Sequence, residues 1–186
     1  MAATADYTKG PCEHLARLGF TLATPSEIEA GRDIAARTVG PAVATAETLQ
    51  GVQDRTACSS FAYRGADGGL AGVLCVIPLT PAAAPVLKAG MFDGIEPPPS
   101  MVARPCDRVI ALYGWGIAGV TWRGRAEVIA AALAIHSEIY DTVNLYGRAA
   151  TPGGERTLLR RMGARAVPGP GGLVVCPPWT IQRKVA

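Results

Sequence analysis

The sequence is poor in the residues from which metal centres and disulfide frameworks are built. It has two histidines, His14 and His136, and five cysteines with no Cys-x-x-Cys pair. This composition does not favour a structural zinc site, and an odd number of cysteines is typical of reduced thiols. We therefore expect no metal site and a cytoplasmic location.

Long apolar runs are also missing. No stretch reaches the roughly 18 uninterrupted apolar residues of a membrane-spanning helix, so we expect no membrane association. Residues 1–10 lack the apolar segment of a signal peptide. Hydrophobic residues make up 49% of the 186 residues and charged residues 18%, which predicts a globular chain with a substantial core.

Charge is unevenly distributed along the chain. Residues 1–120 hold 9 Lys/Arg and 11 Asp/Glu, whereas residues 121–186 hold 9 and 4. No long basic stripe with interleaved aromatic residues is present, so nucleic acid is not a favoured partner. The basic half suits a small anionic ligand, although ordinary solvated arginines give the same imbalance.

The most informative stretch of the sequence runs from Val109 to Glu138. Val109–Tyr113 predicts a buried strand, the glycines after it predict a turn, and Arg123–Ile139 predicts a helix that packs on a sheet. A strand that leads through a glycine-rich loop into a helix is typical of phosphate binding. Unpaired backbone N–H groups and the helix dipole converge on an anion at such a place.

One candidate phosphate motif is the dinucleotide fingerprint G-x-G-x-x-G, formed by Gly114, Gly116 and Gly119. The helical pattern, however, begins only at about Arg123, and Trp115 is bulky for a tight turn. The 67 residues after Gly119 are also too few for the rest of a doubly wound domain. A nucleotide-binding oxidoreductase fragment or an unrelated α/β domain remains an alternative.

The other candidate motif is Thr121-x-x-Gly124-x-Ala126. It resembles the acyl-CoA pyrophosphate loop, Q/R-x-x-G-x-G/A, of the GCN5-related N-acetyltransferase (GNAT) superfamily. The resemblance extends from about Val109 to Pro177.

The elements that follow the loop carry the resemblance further. A predicted strand at Thr142–Tyr146 and a predicted helix at Pro152–Met162 correspond to the family's fifth strand and fourth helix. Two positions depart from the family pattern. Thr121 replaces the usual Gln or Arg, and Leu159 stands where many members carry a tyrosine that protonates the leaving thiolate.

The resemblance implies an α/β (α+β) fold with a mixed, mostly antiparallel central sheet of about six or seven strands and flanking helices. Residues 1–18 are expected to be loosely ordered, and residues 19–186 to form one acyltransferase domain. A proline-rich insert at 78–105 is interpreted as a lid or wall of the acceptor site, with a passive loop as the alternative. The elements predicted before the insert are strands at Gly19–Ala23, Ser60–Arg64 and Leu70–Ile77 and helices at Pro25–Arg37 and Ala46–Arg55.

The strand–helix–strand unit predicts the direction of the central strands. Thr142–Tyr146 should run parallel to Val109–Tyr113, because a helical crossover joins parallel strands. Leu70–Ile77 should lie antiparallel to Val109–Tyr113 on its other side.

The resemblance also implies a cofactor, acetyl-CoA or another acyl-CoA. Its phosphates would lie at the loop and its pantetheine arm in a gap between the fourth and fifth strands. The cofactor-binding residues implied are Trp115, Gly116, Ile117, Thr121, Trp122, Arg123, Gly124, Arg125 and Ala126. Gly124→Glu is then expected to abolish CoA binding and to leave the fold largely intact.

Catalytic candidates are few. With leucine at position 159, Tyr146 at the end of the fifth strand is the first candidate for the proton donor and Tyr113 on the fourth strand is the second. Either tyrosine can instead be a core or rim residue. Cys75 lacks an evident histidine base, and His136 is expected to be structural.

The function implied is transfer of an acyl group, an acetyl group in the first instance, from acyl-CoA to an amine on a small molecule or peptide. A homodimer is compatible with this function. The alternative within the same fold is a non-catalytic protein that binds acyl-CoA or a partner.

Overall fold

The structure, a computed structural model, describes residues 9–182 and is built around a seven-stranded sheet in the order β1-β2-β3-β4-β5-β7-β6. The strands are β1 Phe20–Leu22, β2 Ser60–Arg64, β3 Leu70–Leu79, β4 Ala111–Gly119, β5 Asn144–Arg148, β6 Arg165–Ala166 and β7 Leu173–Cys176. All neighbouring strands are antiparallel except β4 and β5, which are parallel. The predicted mixed, mostly antiparallel sheet with flanking helices is thus confirmed.

Helices cover both faces of this sheet. They are α1 Lys9–Arg17, α2 Pro25–Val39, α3 Ala46–Thr56, α4 Ala84–Lys88, α5 Trp122–Ala134, α6 Pro152–Arg156 and α7 Trp179–Gln182. Helices α5 and α6 each continue into a π-helical turn, at Ile135–Ile139 and Thr157–Arg161 respectively. None of the helices formed by residues 9–182 is both long and apolar enough to cross a lipid bilayer.

The central strands have the predicted directions. β3 pairs antiparallel with β4 from Gly72↔Gly119 to Leu79↔Ala111. β5 pairs parallel with β4 from Ala111↔Asn144 to Gly114↔Gly147. Helix α5 makes the crossover between these parallel strands, and its buried residues Val128, Ala131 and Ala132 belong to the main hydrophobic core.

The glycine-rich turn predicted after Tyr113 is wrong. Gly114, Gly116 and Gly119 all lie within β4, because β3 supplies hydrogen-bonding partners as far as Gly119. The register shifts by one residue between Cys75 and Val76, so that Trp115 is the extra residue of a β-bulge. The glycines therefore belong to a bent strand. The structure does not support the dinucleotide fingerprint G-x-G-x-x-G, because these glycines form no loop.

The prediction of a loosely ordered N-terminal segment is also wrong for residues 9–17, which form α1. Its Leu15 is fully buried in the main core, and Cys12 packs against that core. Residues 1–8 lie outside the described part of the chain. Burial of one apolar side of this short helix explains its order where the polar sequence gave no strong signal.

Helix α2 begins where the sequence predicts. Thr24 accepts a hydrogen bond from the Glu27 N–H, and the Glu27 carboxylate accepts one from the Thr24 N–H at 2.9 Å, which forms a capping box. The helix lies close to the sheet, since a Cβ at Gly31 would come within 2.8 Å of the Val73 side chain. This close approach sets α2 above β3 and β4, on the opposite face from α5.

His136 is buried in the π-helical turn after α5, with 1% of its surface exposed. Its Nε2 lies 3.0 Å from the Val143 carbonyl oxygen, and its ring meets Trp179 edge-on. Burial lowers the pKa of His136, against smaller opposing effects of the Val143 hydrogen bond and the Asp141 charge. The imidazole is therefore neutral near neutral pH and holds the end of the helix to the segment before β5.

This environment predicts a pH dependence of stability. The pKa of His136 is lower in the folded chain than its ordinary value of 6.5. The stabilisation is therefore present above pH 6.5 and is lost as the pH falls from that value through the lower pKa of the folded state, because the unfolded chain then binds a proton that the folded chain resists.

His136→Gln keeps a donor for the Val143 carbonyl and removes the titration. We expect the wild-type free energy of unfolding to fall more steeply than that of the variant between about pH 7 and about pH 5, measured by urea denaturation. Parallel curves for the two proteins would contradict this assignment.

Candidate active site

A cleft of about 610 Å³ opens on the α2 side of the sheet. One wall is formed by α2 and the segment after it, a second by the tip of the insert at Met91–Ile95, and the floor by β4 with the residues after β5. Its size lies within the usual range for a small-molecule site, and apolar side chains line most of it. Of the site residues predicted from the sequence, Tyr113, Trp115 and Gly116 line this cleft.

The floor of the cleft is the point at which β4 and β5 separate. Their pairing ends at Gly114↔Gly147, yet β4 continues to Gly119. Within the described residues, Gly116–Gly119 pair with β3 on one side only, and Trp115 is the bulge residue. Backbone N–H and C=O groups on the other side of β4 are thus available to an extended ligand.

Space beside this free edge is open. A Cβ at Gly116 would have the Cys75 Cβ as its nearest neighbour, at 3.8 Å, and one at Gly114 would be 3.6 Å from the Tyr146 carbonyl oxygen. These are ordinary contacts, so the surrounding protein does not require glycine at either position. Glycine leaves room for a ligand to approach the backbone.

The free edge leads directly to the N-terminus of α5. Thr121 is the N-cap, and its side chain accepts a hydrogen bond from the Gly124 N–H at 3.0 Å. The Arg125 N–H donates to the Thr121 carbonyl oxygen, also at 3.0 Å. The N–H groups of Trp122 and Arg123 precede the first intrahelical bond and point out of the helix end, where an anion is favoured.

Gly124, by contrast, is a packing residue. It is buried, and a Cβ there would overlap the Ala71 carbonyl oxygen of β3. The expectation that Gly124→Glu leaves the fold intact is therefore wrong, because any side chain would push α5 off the sheet. The other implied cofactor residues of this loop, Trp122, Arg123, Arg125 and Ala126, are exposed, as is Thr121.

We predict that Gly124→Ala lowers the free energy of unfolding by about 1–3 kcal/mol, because the added methyl group cannot be accommodated without a shift of the helix. Gly116→Ala is the matched control, since its methyl group meets only ordinary contacts, and should change stability by less than about 1 kcal/mol. Thermal or urea unfolding of both variants measures the difference. Equal losses at the two sites would refute the packing role of Gly124.

Tyr113 is the tyrosine that faces the cleft. It is 5% exposed, and its ring lies 4.9 Å from that of Phe92 in the insert. Its hydroxyl oxygen accepts a hydrogen bond from Arg148 Nη1 at 3.3 Å. The hydroxyl hydrogen is thereby left to be donated towards the cleft.

Burial is the main cause that raises the pKa of Tyr113. Arg148 lowers it through charge and hydrogen bonding, and Asp93 raises it. The net shift is upward, so the phenol is protonated at neutral pH. It can donate a hydrogen bond to developing negative charge, which suits a stabiliser of an oxyanion or thiolate.

Tyr146 occupies the neighbouring strand position, paired with Tyr113 across β4 and β5. It is half-buried and packs against the hydrophobic cluster that contains Tyr113 and Leu173. Among the described residues that line the cleft, Tyr113 and Arg148 are present and Tyr146 is not. Its role as proton donor remains a prediction, and the geometry favours Tyr113.

The other reactive side chains do not form a nucleophilic centre at the cleft. Burial raises the pKa of the Cys75 thiol to about 11, partly offset by a hydrogen bond with Ser60. The thiol is therefore protonated at neutral pH and a poor nucleophile.

Ile117, predicted to bind the cofactor through its backbone, is 45% exposed at the outer part of β4.

The tip of the insert, Met91–Ile95, forms one wall of this cleft, and its role at an acceptor site stays a prediction. The Trp115 indole N–H donates to the Gly94 carbonyl oxygen, which ties the insert to the bulge in β4. Gly94 lies against the Tyr113 ring, where a Cβ would come within 2.7 Å of Cε1. The insert also brings Asp93 to the cleft, a residue that the sequence analysis did not single out.

Comparison with solved structures gives a weak likeness. A structure described as histone acetyltransferase HPA2 and related acetyltransferase from Corynebacterium glutamicum superposes with a TM-score of 0.46 and 16% identity. The match covers 86% of this chain and 95% of that one. No family model matches the sequence, and no curated protein matches it.

Proposed function

We propose that this protein is an acyl-CoA-dependent N-acyltransferase that uses acetyl-CoA to acetylate an amine. The observation that carries the proposal is the continuity of three features along one path. The free edge of β4 beyond Gly114 leads to the open N-terminus of α5, and Tyr113 stands where the strands begin to separate. An extended chain with a thioester at one end and phosphates at the other fits this path.

Positioning is the first task of the site. Backbone groups of Trp115–Ile117 would hold the pantetheine amides as an added strand edge holds a peptide. The N–H groups of Trp122 and Arg123, with the helix dipole, would hold the pyrophosphate. Such positioning turns a reaction of two molecules into one between fixed neighbours, which can supply about 7–11 kcal/mol of the barrier.

Stabilisation of negative charge is the second task. Acyl-CoA supplies an activated acyl group whose carbonyl carbon accepts the amine while the thiolate departs. Tyr113 would donate its hydroxyl hydrogen to the negative charge that develops at this point. Arg148, held 3.3 Å from the phenol oxygen, would support that donation by its positive charge. Because its pKa is raised, the phenol would donate a hydrogen bond to the thiolate and keep its proton.

The phosphate site can be tested without disturbing the helix cap. Aspartate and asparagine both serve as N-caps, so Thr121→Asp and Thr121→Asn should keep the stability of α5. Only Thr121→Asp places a negative charge beside the pyrophosphate. We expect it to weaken CoA binding by at least about 5-fold, from a Coulomb repulsion of about 1–4 kcal/mol, while Thr121→Asn stays near wild type.

Isothermal titration calorimetry with CoA measures both variants. Equal affinity of Thr121→Asp and Thr121→Asn would show that the phosphates lie elsewhere. Absence of any CoA binding by the folded wild-type protein would refute the proposed function itself.

The catalytic tyrosine can be assigned by a matched pair of variants. Tyr113→Phe removes a hydroxyl that faces the cleft and should lower kcat by about 100-fold or more, measured as CoA thiol release. Because the pKa of Tyr113 is raised above its ordinary 10.0, wild-type activity should retain this contribution up to that pH and lose it only above. Tyr146→Phe, in the adjacent strand, is expected to keep most of its turnover. The reverse ranking of the two variants would assign the role to Tyr146.

A second candidate function is non-catalytic binding of acyl-CoA. Leu159, at the position where the family often has its tyrosine, lies in the π-helical turn after α6 and is 42% exposed. It cannot donate a proton. CoA binding without thiol release for any amine, and without an effect of Tyr113→Phe, would favour this function over catalysis.

A further inference from the structure

Arg148 presents an unneutralised positive charge to the cleft. Its Nε donates to the Gly171 carbonyl oxygen at 2.5 Å and its Nη1 to the Tyr113 hydroxyl at 3.3 Å. Within residues 9–182, no carboxylate oxygen lies within 4.0 Å of its guanidinium. The other guanidinium at the cleft belongs to Arg32, which is paired with Asp33 at 2.9 Å.

This guanidinium has capacity for a ligand. Arginine has five N–H donors, and two are engaged here. The side chain is half-buried, and most of the side chains that line the cleft are apolar. A cation in such a place is best satisfied by a planar anion such as a carboxylate, which a guanidinium can bind with two parallel hydrogen bonds.

Asp93 supplies the opposite charge in the same cleft. It is the one carboxylate among the described residues that line it. Its Oδ1 accepts a hydrogen bond from the Ile95 N–H at 2.7 Å, which fixes the tip of the insert. Asp93, Arg148 and Tyr113 line the same cleft, and both charges act on the Tyr113 phenol.

The remaining wall is an apolar strip on one face of α2. Ile28, Ala35 and Val39 recur at helical spacing and line the cleft together with Leu49 from α3. None of these side chains can hydrogen-bond to a ligand. They suit a branched or linear hydrocarbon group.

We propose that the acceptor is a small amino carboxylate with an apolar body, an apolar α-amino acid being the simplest example. Its carboxylate would bind Arg148, its amine would lie beside Asp93 and Tyr113, and its hydrocarbon side chain would contact α2. The proposal rests on the proposed function, because it names the acceptor of that same site.

The group transfer balances with these residues. The acceptor enters as an ammonium and releases one proton towards the Asp93 carboxylate. The amine nitrogen forms a bond to the acyl carbon, and the C–S bond breaks with its electron pair going to sulfur. A second proton from nitrogen ends on that sulfur, so the products are an N-acyl amino acid, free CoA and one proton.

A carboxylate could also reach Arg148 from the acyl side, as the distal acid of a succinyl or malonyl group. The acceptor is the better match. The cleft carries an opposite charge pair around Tyr113, and an amino carboxylate complements both members whereas a dicarboxylic acyl group complements only one. Both sources of the carboxylate, the acceptor and the acyl group, can be tested.

The test compares leucine with 3-methylbutylamine, which is leucine without its carboxylate, as acceptors for acetyl-CoA. We expect kcat/KM to favour leucine by at least about 10-fold in the wild type. Arg148→Gln should bring this ratio close to one. Arg148→Lys should give an intermediate ratio, because lysine keeps the charge but cannot form the two parallel hydrogen bonds of a guanidinium. Arg32→Gln, at the paired arginine of the same cleft, should leave the ratio unchanged.

Several outcomes would overturn the proposal. Equal use of the two acceptors would do so, as would a leucine preference that survives in Arg148→Gln. A preference for succinyl-CoA over acetyl-CoA that disappears in Arg148→Gln would assign the carboxylate to the acyl group instead. In each of these cases CoA binding and thiol release would still support the proposed function.

Direct binding separates this proposal from the proposed function. Calorimetry with leucine alone should show binding that is lost in Arg148→Gln and retained in Arg32→Gln, whether or not CoA binds. Thermal unfolding confirms that each variant is folded, and Arg148→Lys serves if the glutamine variant is not. No leucine binding together with intact CoA binding would refute the amino carboxylate and leave the acyltransferase in place.

Discussion

The close contact between α5 and the two central strands is the constraint on which the rest of the structure depends. A Cβ at Gly72 would lie 2.6 Å from Val128, one at Gly119 would lie 2.6 Å from the Arg125 nitrogen, and one at Gly124 would overlap the Ala71 carbonyl oxygen. Only glycine allows the backbones to approach this closely. As a result the N-terminus of α5 lies beside the free edge of β4, and this placement is set by backbone packing at the glycines.

The path of β4 also creates the cleft, which has few polar groups. β4 bends at the Trp115 bulge and leaves β5, which removes a strand partner and creates space. The insert then closes one side through Trp115, Gly94 and the Tyr113 ring. Tyr113 therefore shares a mostly apolar cleft with a carboxylate on the insert, Asp93, and with the Arg148 guanidinium at the end of β5, which donates a hydrogen bond to it.

Much of this could be predicted from the sequence. The capping box at Thr24 and the apolar periodicity of the central strands are local signals, and they gave α2, β2, β3 and the parallel crossover correctly. The path of β4 could not be predicted in the same way, because its glycines read as a turn and only pairing with β3 makes them a strand. The role of Gly124 likewise depends on a carbonyl group in β3, which is distant in sequence. The presence of Asp93 and Arg148 in one cleft also depends on the insert's path, for which proline-rich sequence offers no pattern.

The central claim is that one continuous path from Tyr113 along β4 to α5 binds acyl-CoA. A crystal structure of the protein in complex with CoA tests it most directly. The account predicts pyrophosphate oxygens within hydrogen-bonding distance of the Trp122 and Arg123 N–H groups, the pantetheine arm beside Trp115–Ile117, and the sulfur next to the Tyr113 hydroxyl. CoA bound at another surface, or bound with its sulfur outside the cleft that contains Tyr113, would contradict the account.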